Sequence, residues 1–265
     1  MDNRIDRTFA ELKLKKQKAF VAYITAGDPH LDQTPGLVLA LEKAGVDIIE
    51  LGVPFSDPVA DGVVNQLAAQ RALESGTTLA GIFSAVKKIR LTSQIPIVLF
   101  TYLNPLFHFG LDKFKAEAAT AGVDGVLILD LPPEETKADF FTRDGLKRIT
   151  LIAPTTPESR VVSIAGISSG FIYYVSREGV TGMQTSVSTT IQGQVDLIRK
   201  HAALPICVGF GVSTPEQAAT VAHLADGVVI GSALVNLIAE YGKSPELPAK
   251  LEAFARPLAK AIHSA

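Results

Sequence analysis

A carboxylate stands inside an apolar run at Ile48-Ile49-Glu50-Leu51-Gly52. Burying it there requires either a partner or a proton, because an isolated charge loses its hydration. A structural salt bridge meets that need as well as a functional role does. The stretch that follows, Val53-Pro54-Phe55-Ser56-Asp57-Pro58-Val59-Ala60-Asp61-Gly62, adds Asp57 and Asp61 on a loop stiffened by two prolines. A buried carboxylate and a second one on the adjoining loop can be driven to different pKa values, which suits acid and base work at one site. Farther along, Gly179-Val180-Thr181-Gly182, Gly209-Phe210-Gly211-Val212-Ser213 and Gly231-Ser232 are turns whose backbone can approach an anion closely. Carboxylates and anion-holding turns together predict a phosphate-bearing small molecule as ligand.

These groups need a frame that brings them to one place. Short apolar runs rich in β-branched residues predict strands at Phe20–Thr25, Ile48–Leu51, Ile97–Tyr102, Gly125–Leu129, Arg148–Ala153, Phe171–Val175, Ile206–Val208 and Gly227–Ile230. Several lack polar alternation, as parallel strands buried on both faces should. Helical periodicity fills the segments between them. The phrase Ala-Gly-Val-Asp recurs at Ala44–Asp47 and Ala121–Asp124, each time just before a strand. Eight such units, with no flexible linker between halves, predict one (β/α)8 TIM barrel over residues 1–265. An open doubly wound sheet is the alternative, but no strand leads into the Gly-x-Gly-x-x-Gly turn of a dinucleotide site. The polar and glycine-rich motifs follow strands one, two, six, seven and eight, which a barrel gathers at its catalytic face.

Composition narrows the class. With 265 residues and 47% hydrophobic content, the chain can bury a large core. Its net charge of −2 gives no general attraction to nucleic acid or an anionic membrane. A single cysteine, Cys207, makes neither an internal disulfide nor a zinc site and points to a reducing compartment, the cytoplasm. The first 18 residues lack a signal peptide's apolar core. Ile5, Phe9 and Leu12 recur there at helical spacing and predict a short amphipathic helix over one end of the barrel. His30, His108, His201, His223 and His263 have no metal-ligand spacing, so no metal is expected.

Several motifs carry a resemblance to a known family. Tyr23-Ile24-Thr25-Ala26-Gly27-Asp28-Pro29, Glu50 through Gly62, Tyr173 through Gly182 and Gly209 through Ser213 resemble, in order along the chain, the signatures of the tryptophan synthase α subunit family. The resemblance implies a lyase that splits indole-3-glycerol phosphate into indole and glyceraldehyde 3-phosphate by retro-aldol cleavage, with no cofactor of its own. It implies Glu50 as the acid–base group, Asp61 as the holder of the indole N–H, and Tyr173 beside the reacting carbon. It places the phosphate around Gly182, Phe210, Gly211, Gly231 and Ser232, and the indole among Tyr23 and Phe210. Tyr102 and Asn104 either line the same pocket or cap the end of the third strand. The resemblance also implies a pyridoxal-phosphate β subunit as partner in an α2β2 assembly. The segment Arg177–Gln194, long for a strand-to-helix connection and dominated by Ser, Thr, Gly and Gln, predicts a lid, in which the resemblance has Thr181 meet Asp61. A free-standing indole-releasing lyase and a barrel that only regulates the β subunit are the alternatives. The chain departs from the family after Ala60-Asp61-Gly62: Val63 replaces a proline, and Asn65 puts an amide where an apolar side chain is usual.

Overall fold

The computed structural model describes residues 3–135, 145–176, 184–209 and 211–265. The strands are β1 (Ala19–Thr25), β2 (Ile48–Gly52), β3 (Ile97–Thr101), β4 (Gly125–Ile128), β5 (Lys147–Ile152), β6 (Ile172–Val175), β7 (Ile206–Gly209) and β8 (Gly227–Ile230). Before and among the first four lie α1 (Arg4–Lys15), α2 (Thr34–Ala44), α3 (Val63–Glu74), α4 (Leu79–Arg90), α5 (Leu103–Phe109) and α6 (Leu111–Ala121). After β5 come α7 (Glu158–Ile167), α8 (Gln184–His201), α9 (Pro215–Ala222), α10 (Ser232–Tyr241) and α11 (Leu247–His263). All neighbouring strands pair in parallel, and β1 pairs with both β2 and β8, so the sheet closes into the expected (β/α)8 barrel. Each strand boundary falls within one residue of its sequence-based position.

The barrel interior is layered by the two-residue period of its strands. Val21, Ile48, Val98, Leu127, Ile149, Phe171, Cys207 and Val229 fill its lower part. Ile5 of α1 joins that cluster and the Phe9 ring packs on Phe171 at 5.9 Å, so the amphipathic N-terminal helix does close one end. Two residues farther along β1, β2, β3 and β6, the same inward parity presents Tyr23, Glu50, Phe100 and Tyr173. The outward-facing residues form the larger core beneath the helices.

The repeated Ala-Gly-Val-Asp phrase has a physical purpose. Gly45 ends α2 at a φ of 103°, a left-handed turn that glycine adopts without strain. The aspartate that follows clips the preceding strand: Asp47 Oδ2 accepts from the Phe20 amide at 2.7 Å, and Asp124 Oδ2 from the Ile97 amide at 2.8 Å. Asp226 repeats the device on the Ile206 amide at 3.0 Å. At the same end, Asp124 binds Arg4 and Arg90, which ties α1 and α4 to the barrel floor.

One expectation needs correcting. The connection after β6 is shorter than 177–194, because α8 already begins at Gln184. Ile191, Val195 and Ile198 are buried at helical spacing and anchor it, while the Ser, Thr and Gln of its first turns disguise the helix in the sequence. Residues 177–183 lie outside the described residues. No helix among the described residues is long and apolar enough to cross a membrane.

Candidate active site

Glu50 sits on β2 and faces the barrel interior, only 1% exposed. Both its carboxylate oxygens are sealed from solvent, and neither has a hydrogen-bond partner among the described residues. The salt-bridge alternative for this side chain is therefore not what the fold builds. With water removed and no cation supplied, burial pushes its pKa from 4.5 up to about 8. At neutral pH Glu50 is a carboxylic acid that can give up a proton.

Around it, a cavity of about 180 Å³ opens at the C-terminal ends of the strands. Tyr23, Phe100, Tyr173 and Asn65 form one part of its wall, and Ser176, Gly209, Gly211, Gly231 and Ser232 form another. The Phe100 and Tyr23 rings meet edge to face at 5.0 Å, an apolar surface fit for a flat aromatic ligand. Phe100 had no distinguishing mark in the sequence beyond its parity with Val98. Two tyrosine hydroxyls lie over glycines of the neighbouring strands: a Cβ at Gly52 would collide with the Tyr23 hydroxyl, and one at Gly209 with that of Tyr173. Burial raises the pKa of both tyrosines, so both remain protonated donors. The Tyr23 hydroxyl shares a 3.3 Å hydrogen bond with Thr25 Oγ1.

The opposite wall is suited to an anion. Gly231 and Ser232 line the cavity at the start of α10, a ten-residue helix with no side-chain cap, and the first N–H groups of a helix lack partners within it. Gly211 has a φ of 66° and nothing within 4 Å of where a Cβ would stand, so its backbone is open to a ligand. Thr181, Gly182 and Phe210, the other residues expected here, lie outside the described residues.

Asp61 is held at the rim rather than in the cavity wall. Its Oδ2 accepts from the Tyr102 hydroxyl at 2.7 Å, and its Oδ1 stands 3.5 Å from Asn65 Nδ2. Burial raises its pKa above the ordinary aspartate value, and the bonds from Tyr102 and Asn65 offset part of that rise. Tyr102 is thus brought to the site through Asp61, a contact across 41 positions that spacing alone does not announce. Asn104, on α5, faces solvent. A larger hollow of about 260 Å³ lies on the flank of β4 and β5, lined by Arg148 and Thr150, away from Glu50. Among the described residues no cluster of His, Cys, Asp or Glu could hold a metal ion.

The chain is similar to known proteins over nearly its whole length. Residues 9–263 match the family model described as "Tryptophan synthase alpha chain". The tryptophan synthase alpha chain of Geotalea uraniireducens is 52% identical over 259 residues, covering 97% of this chain and 96% of that one. That of Opitutus terrae is 51% identical, with 97% of each chain covered. Among solved structures, tryptophan synthase subunit alpha from Legionella pneumophila superposes with a TM-score of 0.91 at 38% identity, covering 99% of both chains. By its barrel, its buried acid and these relatives, the chain belongs to the tryptophan synthase alpha chain family.

Proposed function

We propose that this chain cleaves indole-3-glycerol phosphate to indole and glyceraldehyde 3-phosphate, as the α subunit of a tryptophan synthase. The observation that carries the reading is Glu50, an unpaired carboxyl group protonated at neutral pH, in a cavity with an aromatic wall on one side and a helix N-terminus on the other. Glu50 delivers its proton to indole carbon C3. The bond from C3 to the glycerol chain then breaks, and its electron pair returns to the ring. The carboxylate left on Glu50 takes the proton of the glycerol hydroxyl as that carbon becomes the aldehyde. Asp61, whose charged form the Tyr102 hydroxyl stabilises, accepts the indole N–H and balances the positive charge that C3 protonation places on the ring. Tyr173 packs beside the reacting carbon, and Tyr23 and Phe100 hold the indole plane.

The phosphate binds at Gly211, Gly231 and Ser232, where N–H groups and the helix dipole favour negative charge. Thr181, Gly182 and Phe210 complete this end by the family resemblance. The chain works as a single barrel domain in the cytoplasm. It passes indole to a tryptophan synthase β subunit in an α2β2 assembly. An indole-release assay on the purified chain, with and without a β subunit, tests the reading. Indole is expected in both cases and faster with the partner; no indole in either would overturn it.

A further inference from the structure

Asn65 stands in the first turn of α3 with its amide divided between two environments. Its Nδ2 points at Asp61 Oδ1, 3.5 Å away. Its Oδ1 is sealed from solvent and has no hydrogen-bond partner among the described residues, although the residue lines the same cavity as Glu50, Tyr23 and Tyr173. Turning the amide over would set oxygen against carboxylate oxygen, two acceptors face to face, so the orientation is fixed by charge. The helix beneath it is fixed as well, because Arg71 of α3 makes a bidentate pair with the buried Asp28 at 2.8 and 2.7 Å.

An acceptor held in this way needs a donor, since a buried unpaired polar atom is costly. No described group of the wall donates to it: the Glu50 carboxyl and the Tyr173 hydroxyl line the same cavity without a hydrogen bond to Asn65, and the Tyr23 hydroxyl is shared with Thr25. A ligand held by Asp61 brings one. Any donor brought to Asp61 is also brought to the amide group beside it.

We propose that Asn65 Oδ1 accepts the ring N–H of the bound indole jointly with Asp61, which makes Asn65 a specificity-determining residue that demands an N–H on the aromatic ring. This rests on the function proposed above. A site built to receive a hydrogen bond rejects ligands that lack the donor, because its own polar atoms are then left unpaired.

The test is to measure the affinity of the full chain and two variants for 3-(indol-3-yl)propyl phosphate and for its benzothiophene counterpart, in which sulfur replaces the N–H. The wild-type chain should prefer the indole ligand. In Asn65→Leu and in Asn65→Ala, which removes the acceptor without adding bulk, that preference should fall at least about fivefold, the scale of one hydrogen bond. The loss should come from weaker indole binding, with the benzothiophene ligand bound as well as before or better. A smaller fall in either variant would overturn the proposal. Cleavage of indole-3-glycerol phosphate by the same wild-type preparation keeps two failures apart. Cleavage with an unchanged preference removes only the role of Asn65, whereas absence of cleavage removes the reading beneath it.

Discussion

The Tyr102 hydroxyl donates to Asp61 Oδ2 at 2.7 Å while accepting from the Ala60 amide at 3.0 Å. One side chain at the end of β3 therefore fixes both the carboxylate and the loop that carries it, and the Phe55 ring packs on the same tyrosine at 5.3 Å. A hydrogen bond to the charged form favours the ionised state of a partly buried carboxylate and opposes the rise that burial causes. Tyr102→Phe removes it, so the Asp61 pKa should rise and the acidic limb of the kcat/KM profile should move to higher pH. At neutral pH kcat/KM should drop roughly tenfold, the scale of a hydrogen bond to a charged group. An acidic limb that does not move would mean that Tyr102 only holds the loop.

Glu50→Gln keeps the shape of the side chain and removes its proton. Cleavage should fall by about 10²–10⁴-fold, the range for losing an acid–base group. Affinity for an indole propyl phosphate should largely survive, because neither Glu50 oxygen is bonded to the wall that holds the ligand. Near-normal indole release by this variant would exclude Glu50 as the proton donor.

The same residue predicts how activity and stability vary with pH. The reaction starts from protonated Glu50, so activity should decline as pH rises through about 8. In the unfolded chain the group titrates near 4.5, and in the folded chain near 8. Between those values the folded state holds a proton that the unfolded state has released. Wild-type stability should therefore fall as pH rises across this window and level off above it. Denaturant midpoints across pH 4 to 9, compared with those of Glu50→Gln, should show this slope in the wild type alone; parallel curves would refute the raised pKa.

How much of this was legible in the sequence depends on the physical signal each feature leaves. The strands were legible because two-sided burial demands unbroken apolar runs such as Ile97-Val98-Leu99-Phe100. Glu50 was legible because it is the one carboxylate inside such a run. That same unbroken apolarity hid Phe100, since a strand buried on both faces does not reveal which residues point inward. The start of α8 was hidden because polar β-branched and hydroxyl residues make up its first turns, and only the later Ile191, Val195 and Ile198 spacing gives it away. The bond between Tyr102 and Asp61 depends on barrel register, which no local pattern encodes. Asn65 was visible as a departure from the family, but its unpaired oxygen exists only once α3 is placed against the cavity.

Gly211→Val should damage binding more than folding. The position has a φ of 66°, unfavourable for a branched side chain, which costs about 1–2 kcal/mol. There is open space for the added atoms, but it is the space through which an anion must approach. The KM for the phosphate substrate should rise sharply, and inorganic phosphate should cease to compete with it. An unaltered KM would place the phosphate elsewhere.

The last prediction separates the two ends of the barrel. Asp124 is 2% exposed at the floor, where its oxygens take Arg4 Nη1 at 2.9 Å, Arg90 Nη2 at 2.8 Å and the Ile97 amide at 2.8 Å. Arg90 also reaches the carbonyl oxygens of Gly122 and Ile95, so its guanidinium is locked in place whether or not the carboxylate is present. Asp124→Ala leaves that cation without its counter-charge and the strand amide without an acceptor. Breaking a buried pair in this way costs about 3–5 kcal/mol. The site at the opposite end should not register the change: below the unfolding transition, kcat/KM per folded molecule should stay near the wild-type value. Glu50→Gln should do the reverse, losing activity while gaining relative stability at alkaline pH. Denaturant melts and initial rates on the two variants together decide the matter. If Asp124→Ala lost less than about 1 kcal/mol, the clip would not be holding the floor. If it lost activity in proportion to stability at constant folded fraction, the two ends would be coupled.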